Sequence, residues 1–350
     1  MDPRFDRPTR LGDLLPGVVA SAVGYDSGPD GSPAIAGTAV HQPSVRPLHR
    51  GLPSPYLTFI VSLNGPVVGG YTPQRARAEP LRADVLVAGL HDHASYVVRP
   101  DRDVGIQLAV YPVAVRALLG MPLGRLPENN WNAADLLGRD GSRLWERLAE
   151  TSDWATRYAI ARQFLQQRVE QNERSAAIRP ELAEACRWLA EQRGLASIAD
   201  LARHVHLSRR QLQSLFGAEF GVSPKLYNRL IRYHRAIWMI SSGIRGSSGV
   251  GARRDDHGGP DDSDADDPDG VRDHGCDSGG HHRDDHDKSP VVLPRRRTGL
   301  ADIAAVCGYA DQSHLNRDFA AFTGTSPTGW IAEEFGAIVA GGHRNGDSEL

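Results

Sequence analysis

Cysteine is scarce in this chain. The 350 residues hold three, Cys186, Cys276 and Cys307, far apart and with no C-x-x-C pair, which excludes a disulfide framework and a zinc ribbon and fits a reducing compartment. Long apolar runs are missing as well: none approaches the roughly 20 residues needed to cross a bilayer. The opening MDPRFDRPTR has no apolar stretch behind its charges, so the expectation is a cytoplasmic chain with no membrane partner. Absent too are a phosphate loop, a Ser-His-Asp spacing and paired carboxylates in a structured stretch, so neither an enzyme nor a cofactor is expected. Glutamate is missing from 253–288, where thirteen Asp stand against five Arg or Lys. That segment carries −8 of a total of −3, leaving +5 for the remainder. Residues 176–242 hold ten Arg or Lys against five acids, and a local basic surface survives the acidic total.

What is present suffices for two globular domains: 40% of residues are hydrophobic and the mean hydropathy is −0.40. From residue 1 to about 120 the chain reads as short β-prone runs cut by Pro and Gly, at 56–63, 67–71, 84–90, 96–98 and 105–111. Beyond Ser142 the period changes. Trp154, Tyr158, Ala161 and Leu165 form one apolar stripe of a helix, suited to a core or, alternatively, to a dimer seam. The expected class is α+β: a small β-rich, cupin-like domain over 1–172, closed by helices and serving as sensor or dimerisation unit, then an all-α domain over 176–335 and a flexible tail over 336–350.

The second half contains an internal repeat. Leu201-Ala202 is matched by Ile303-Ala304, and Phe216, Gly221, Ser223, Pro224 and Tyr227 by Phe319, Gly324, Ser326, Pro327 and Trp330. The offset is 102 before the turn and 103 after it, so the second turn holds one extra residue. Ser197 with Asp200, and Ser208 with Gln211, have the spacing of helix-start caps. Between them His206 and Leu207 make a turn, which gives a helix-turn-helix. On its second helix Leu212, Leu215, Phe216 and Phe220 face inward, leaving Arg210, Gln213 and Ser214 outside. In the second copy the outward side chains are Gln312, Ser313, Asn316 and Arg317. Arg can pair with guanine and Gln or Asn with adenine in a major groove, so these seven are the expected base contacts. Ser208, Arg209, Lys225, Arg229 and Arg232 are the expected phosphate contacts. Ser223 and Pro224 suit the start of a further helix, which over 225–240 would run about 25 Å as a spacer.

These residues resemble the AraC/XylS family of bacterial transcription regulators. The resemblance covers roughly 182–240 and 300–335, and its most specific part is Gly308-Tyr309-Ala310-Asp311-Gln312-Ser313-His314-Leu315, with Phe319 and Gly324-Thr325-Ser326-Pro327. It implies a seven-helix DNA-binding domain of two helix-turn-helix units joined by a long helix, attached to a β-rich domain that senses an effector, dimerises, or both. The implied partners are an operator duplex, RNA polymerase, a small-molecule effector and a second copy of the chain. Two departures stand out. Ser214 occupies a position where many members have Arg, which weakens the expected base contact there. The join between the long helix and the second unit is also far longer than the family's. Rich in Gly, Asp, His and Pro, the stretch 241–297 is expected to be disordered, because it has too little to bury against its ordering entropy.

Two histidine groups raise the question of a metal. His91 and His93 alternate as strand residues do, but no Glu follows at ligand spacing, so a polar strand end is expected. The histidines and Cys276 of the 241–297 stretch form a biased tract of a kind that binds cations weakly. No physiological metal site is expected at either place. The alternative to a two-unit regulator is an interaction or metal-sequestering protein whose second helix-turn-helix the insert has disabled.

Overall fold

The computed structural model describes residues 14–27, 48–98, 100, 102–126, 130–248 and 299–339. Its first half is two antiparallel sheets. One has the strand order β1-β8-β3-β6-β9, built from β1 (Val19–Ser27), β8 (Asp103–Val110), β3 (Leu57–Ser62), β6 (Val85–Ala88) and β9 (Asn130–Asn132). The other has the order β2-β7-β4-β5, from β2 (Leu48–Gly51), β7 (Ser95–Val98), β4 (Val67–Gly70) and β5 (Leu81–Ala83). Helix α1 (Pro73–Ala78) bridges β4 and β5. The five β-prone runs read from sequence correspond to β3, β4, β6, β7 and β8. Strand β1, VASAVGYDS, escaped that reading because its small residues give little alternation in hydropathy.

Pairing of Leu57 with Val110, Phe59 with Leu108 and Val61 with Ile106 puts six apolar side chains on one face of the larger sheet. Successive strand residues point to opposite faces, and this face is buried under helices: α2 (Val115–Leu119), α3 (Ala133–Leu137), α4 (Arg139–Ala149) and α5 (Trp154–Gln171). The stripe of α5 is core: Tyr158, Ala161 and Leu165 are buried, Phe164 lies 6.4 Å from Phe59, and the Tyr158 hydroxyl accepts the Gly24 N–H at 2.9 Å. The stripe therefore takes the first of the two roles that the sequence left open for it.

The second half is helical: α6 (Pro180–Glu191), α7 (Ile198–His204), α8 (Arg209–Phe220), α9 (Pro224–Ser248), α10 (Leu300–Val306), α11 (Gln312–Thr323) and α12 (Pro327–Val339). Two boundaries differ from the sequence expectation. Residues 241–248 continue α9 instead of opening the insert, because Met239, Ile240 and Ser241 remain buried and carry the helix forward. Residues 336–339 complete α12 instead of beginning a tail. The stretch 249–298, most of the segment expected to be disordered, lies outside the described residues, as do 340–350. Among the described residues no helix is long and apolar enough to cross a membrane.

Candidate DNA-binding site

The two helix pairs repeat each other in detail. In the first, Ser197 caps α7 by accepting the Asp200 N–H at 3.1 Å, His206 turns the chain at φ 54, and Leu207 N–H reaches back to Ala202 O at 3.0 Å. Ser208 and Gln211 then form the full capping box of α8, which satisfies amide groups that a helix start leaves open. In the second, Gly308 takes the position of His206 at φ 73, and Tyr309 N–H reaches Ala304 O at 2.9 Å. The extra residue is Ala310, so the cap passes to Asp311, which accepts the His314 N–H at 2.7 Å. Gly221 and Gly324 end α8 and α11 at φ 74 and 75. Each following helix starts at a Ser-Pro pair: Ser223 accepts the Leu226 N–H at 3.1 Å and Ser326 the Gly329 N–H at 3.0 Å. Even the closing aromatic pair is kept, with Phe216 to Tyr227 and Phe319 to Trp330 both at 5.7 Å.

Leu212, Phe216 and Phe220 are buried on α8, as are Leu315, Phe319 and Phe322 on α11. The opposite faces are open. Arg210, Gln213 and Ser214 are exposed on α8, and Gln312, Ser313 and Arg317 on α11. Asn316 is less free, half-buried with its Oδ1 enclosed. Among the residues expected to touch phosphate, Arg209 and Lys225 are exposed. Ser208 is exposed too, but its hydroxyl is engaged with Gln211.

Arg229 and Arg232 are placed differently from expectation. Both turn onto the second unit: Arg229 Nη2 donates to Asp318 Oδ1 at 2.8 Å, and Arg232 Nη2 lies 3.6 Å from Asp318 Oδ2. Their guanidinium groups also sit 4.8 Å over the rings of Phe322 and Tyr309, a favourable place for a cation. The reason is a carboxylate at a core position of α11, which needs a cation once it leaves water. The spacer idea changes accordingly. The first unit meets α9 through Tyr227 and through Asn228, whose amide donates to Ala196 O at 2.9 Å. The second meets it through Tyr233 and through Arg235, which donates to Val306 O at 2.9 Å. The units therefore share one stretch of α9 rather than standing at its two ends.

The first half reaches the site as well, which the sequence reading missed. Arg116 of α2 holds Glu219 of α8 with two hydrogen bonds, 2.5 and 2.7 Å, and hydrogen bonding to that carboxylate raises the Arg116 pKa. Beside it Gly124 lies so close to α8 that a Cβ there would meet Ala218 O at 2.3 Å. Arg168 of α5 and Asn172, which caps its end, brace α2 from behind, donating to Leu118 O at 2.9 Å and Ala117 O at 2.9 Å. Arg50 of β2 pairs with Glu333 of α12 at 2.5 Å. His91 and His93 are joined by a 2.6 Å hydrogen bond from ring to backbone, and no group of three metal-ligating residues stands among the described residues.

Residues 192–227 match the family model described as bacterial regulatory helix-turn-helix proteins, AraC family. The match covers 36 of the 350 residues and shows an AraC-type helix-turn-helix segment there. The matched segment contains α7, the turn and α8, and the second unit repeats it in caps, turn and closing aromatic pair. That segment lies in the helical second half, after the β-rich first half. A search of curated proteins finds no match. Among solved structures, an apo variant of ToxT from Vibrio cholerae strain SCE256 is similar at 11% identity and a TM-score of 0.45, over 89% of this chain and 96% of that one. Wild-type ToxT of that strain, bound to an unsaturated fatty acid, is similar at 12% identity and a TM-score of 0.41, over 89% and 94%. ToxT from Vibrio cholerae O395 gives 11% and 0.39, over 89% and 96%.

Proposed function

We propose that the chain is a transcription regulator of the AraC type that reads one operator with both units, α8 and α11 each entering a major groove on the same face of the duplex. The observation that carries the reading is the agreement between the units: a positive-φ residue at the same place in each turn, a side-chain cap and a left-handed glycine at the two ends of each second helix, a closing aromatic pair, and a polar outer face on each second helix. Arg210 and Gln213 from the first unit and Gln312, Ser313 and Arg317 from the second supply donors for base edges, with Ser214 and Asn316 as lesser contributors. Arg209 and Lys225 supply charge for phosphate. The Asp311 cap of α11 and its Gly324 terminator speak against the second unit having been disabled by the insert. The β-rich half acts as a sensor whose effector state reaches α8 through Arg116 and Glu219. Selection of random DNA duplexes by the full chain tests the reading. Two short motifs one helical turn apart, roughly 34 Å, are expected; a single motif, or none, would refute it.

A further inference from the structure

We infer that Asp318 is the positioning residue that fixes the second recognition helix on α9, using Arg229 and Arg232 as its two anchors. The inference rests on the two-unit reading above and adds what sets the relation between the units. Asp318 lies on the inward side of α11, between Leu315 and Phe322, and its side chain is 11% exposed. A leucine there would fill the same space at less desolvation cost, and buried ion pairs are weak contributors to stability when compared with apolar packing. What a carboxylate adds is direction. Apolar burial has no preferred angle, whereas a carboxylate with one oxygen hydrogen-bonded to Arg229 at 2.8 Å and the other in ion-pair range of Arg232 at 3.6 Å has a narrow range of positions.

The placement of the anchors supports the same conclusion. Arg229 and Arg232 stand one turn apart on α9, and each is held a second time, over Phe322 and Tyr309 respectively. Arg232 also touches the first unit: a Cβ on Gly194, in the turn after α6, would lie 2.8 Å from Arg232 N and 2.9 Å from its Cβ. One residue therefore lies against the first unit with its stem and against the second with its head. Among the described residues the second unit is related to the first through contacts, since the join at 249–298 lies outside them. Beside Asp318 the Tyr233 ring packs on Phe319 and Phe322, Arg235 donates to the Val306 carbonyl, and Cys307 Sγ lies 3.7 Å from Met239 Sδ: apolar packing, one neutral acceptor and a weak sulfur contact. The Asp318 group is the charged and directional part.

The test uses the full chain, random DNA duplexes as the probe, and the variants Asp318→Asn and Arg229→Gln beside the unsubstituted protein. Asp318→Asn keeps the shape and removes the charge. It is expected to select the first motif as before, to lose the second or take it at several spacings, and to bind the two-motif duplex about 10-fold more weakly while a duplex holding only the first motif is bound unchanged. Arg229→Gln leaves the carboxylate in place, with Arg232 still 3.6 Å away. It is expected to loosen the spacing in the same way without altering the salt dependence of binding to the first motif. Selection of the same two motifs at the same spacing by both variants would overturn the inference. So would a salt slope lowered by about 1 in Arg229→Gln with spacing intact, which is the signature of a phosphate contact. If the unsubstituted protein selects one motif or none, it is the two-unit reading that fails.

Discussion

Removing Arg116 is the sharpest probe of how the two halves are joined. The Glu219 side chain is 10% exposed and that of Arg116 29%, and two short hydrogen bonds link them. Arg116→Ala leaves a nearly buried carboxylate without its cation. Breaking a fully buried pair from one side costs about 3 to 5 kcal/mol, but the Arg116 end is open to water, which can reach part of the vacated space, so about 2 to 3 kcal/mol is expected. Glu219→Gln keeps an acceptor and removes the charge, and should cost about 1 kcal/mol. Replacing both, as Arg116→Met with Glu219→Leu, removes the stranded charge altogether and should return close to the starting stability. Thermal unfolding followed by tryptophan fluorescence measures this, with a fall in midpoint of about 4 to 10 °C expected for Arg116→Ala. A change below about 0.5 kcal/mol for Arg116→Ala, the size of an ordinary surface substitution, would refute the reasoning. So would a double variant as unstable as the single one.

Three further outcomes are expected. Burial pushes the His91 imidazole down to about 4, below its unfolded value near 6.5; the unfolded chain then binds the extra proton between those values, so stability is complete above pH 6.5 and falls by up to about 3 kcal/mol as the pH drops toward 4. Urea midpoints against pH check this, and His91→Asn, which does not titrate, should flatten that part of the profile; an unchanged slope would count against it. Gly308→Ala places a side chain at φ 73 and against Leu195 Cδ2, 2.0 Å from the added Cβ, so a loss of about 1 to 3 kcal/mol in the second unit is expected from urea unfolding. Arg317→Ala should relax base choice by about 1 to 3 kcal/mol at one position in competition binding, whereas Lys225→Gln should weaken all sequences alike and lower the salt slope by about 1.

Much of the helical half was legible in the amino-acid order, because its determinants are local. Ser208 with Gln211, the Gly221 and Gly324 terminators and the Ser-Pro pairs act within four residues of themselves, and the repeat doubled each signal, down to the single residue added in the second turn. The β-rich half was legible where hydropathy alternates, as in β3 and β8, and not in β1, whose small residues carry no period. The candidate site divides the same way. Which side chains stand outside α8 and α11 follows from helical geometry alone. Where Arg229 and Arg232 point does not, since a basic residue on a long helix is compatible with phosphate or with a carboxylate from another element. A signal was nonetheless present: Glu219 and Asp318 both fall on the inward stripe of their helices, and an acid at such a position needs a cation. Sequence therefore determined that each recognition helix had a charged partner to find. Only the tertiary structure decided that the partner of Glu219 is Arg116 of the first half and that the partners of Asp318 are Arg229 and Arg232 of the linking helix, because pairing between residues so distant along the chain depends on how the domains pack and leaves no periodic trace in the order of residues.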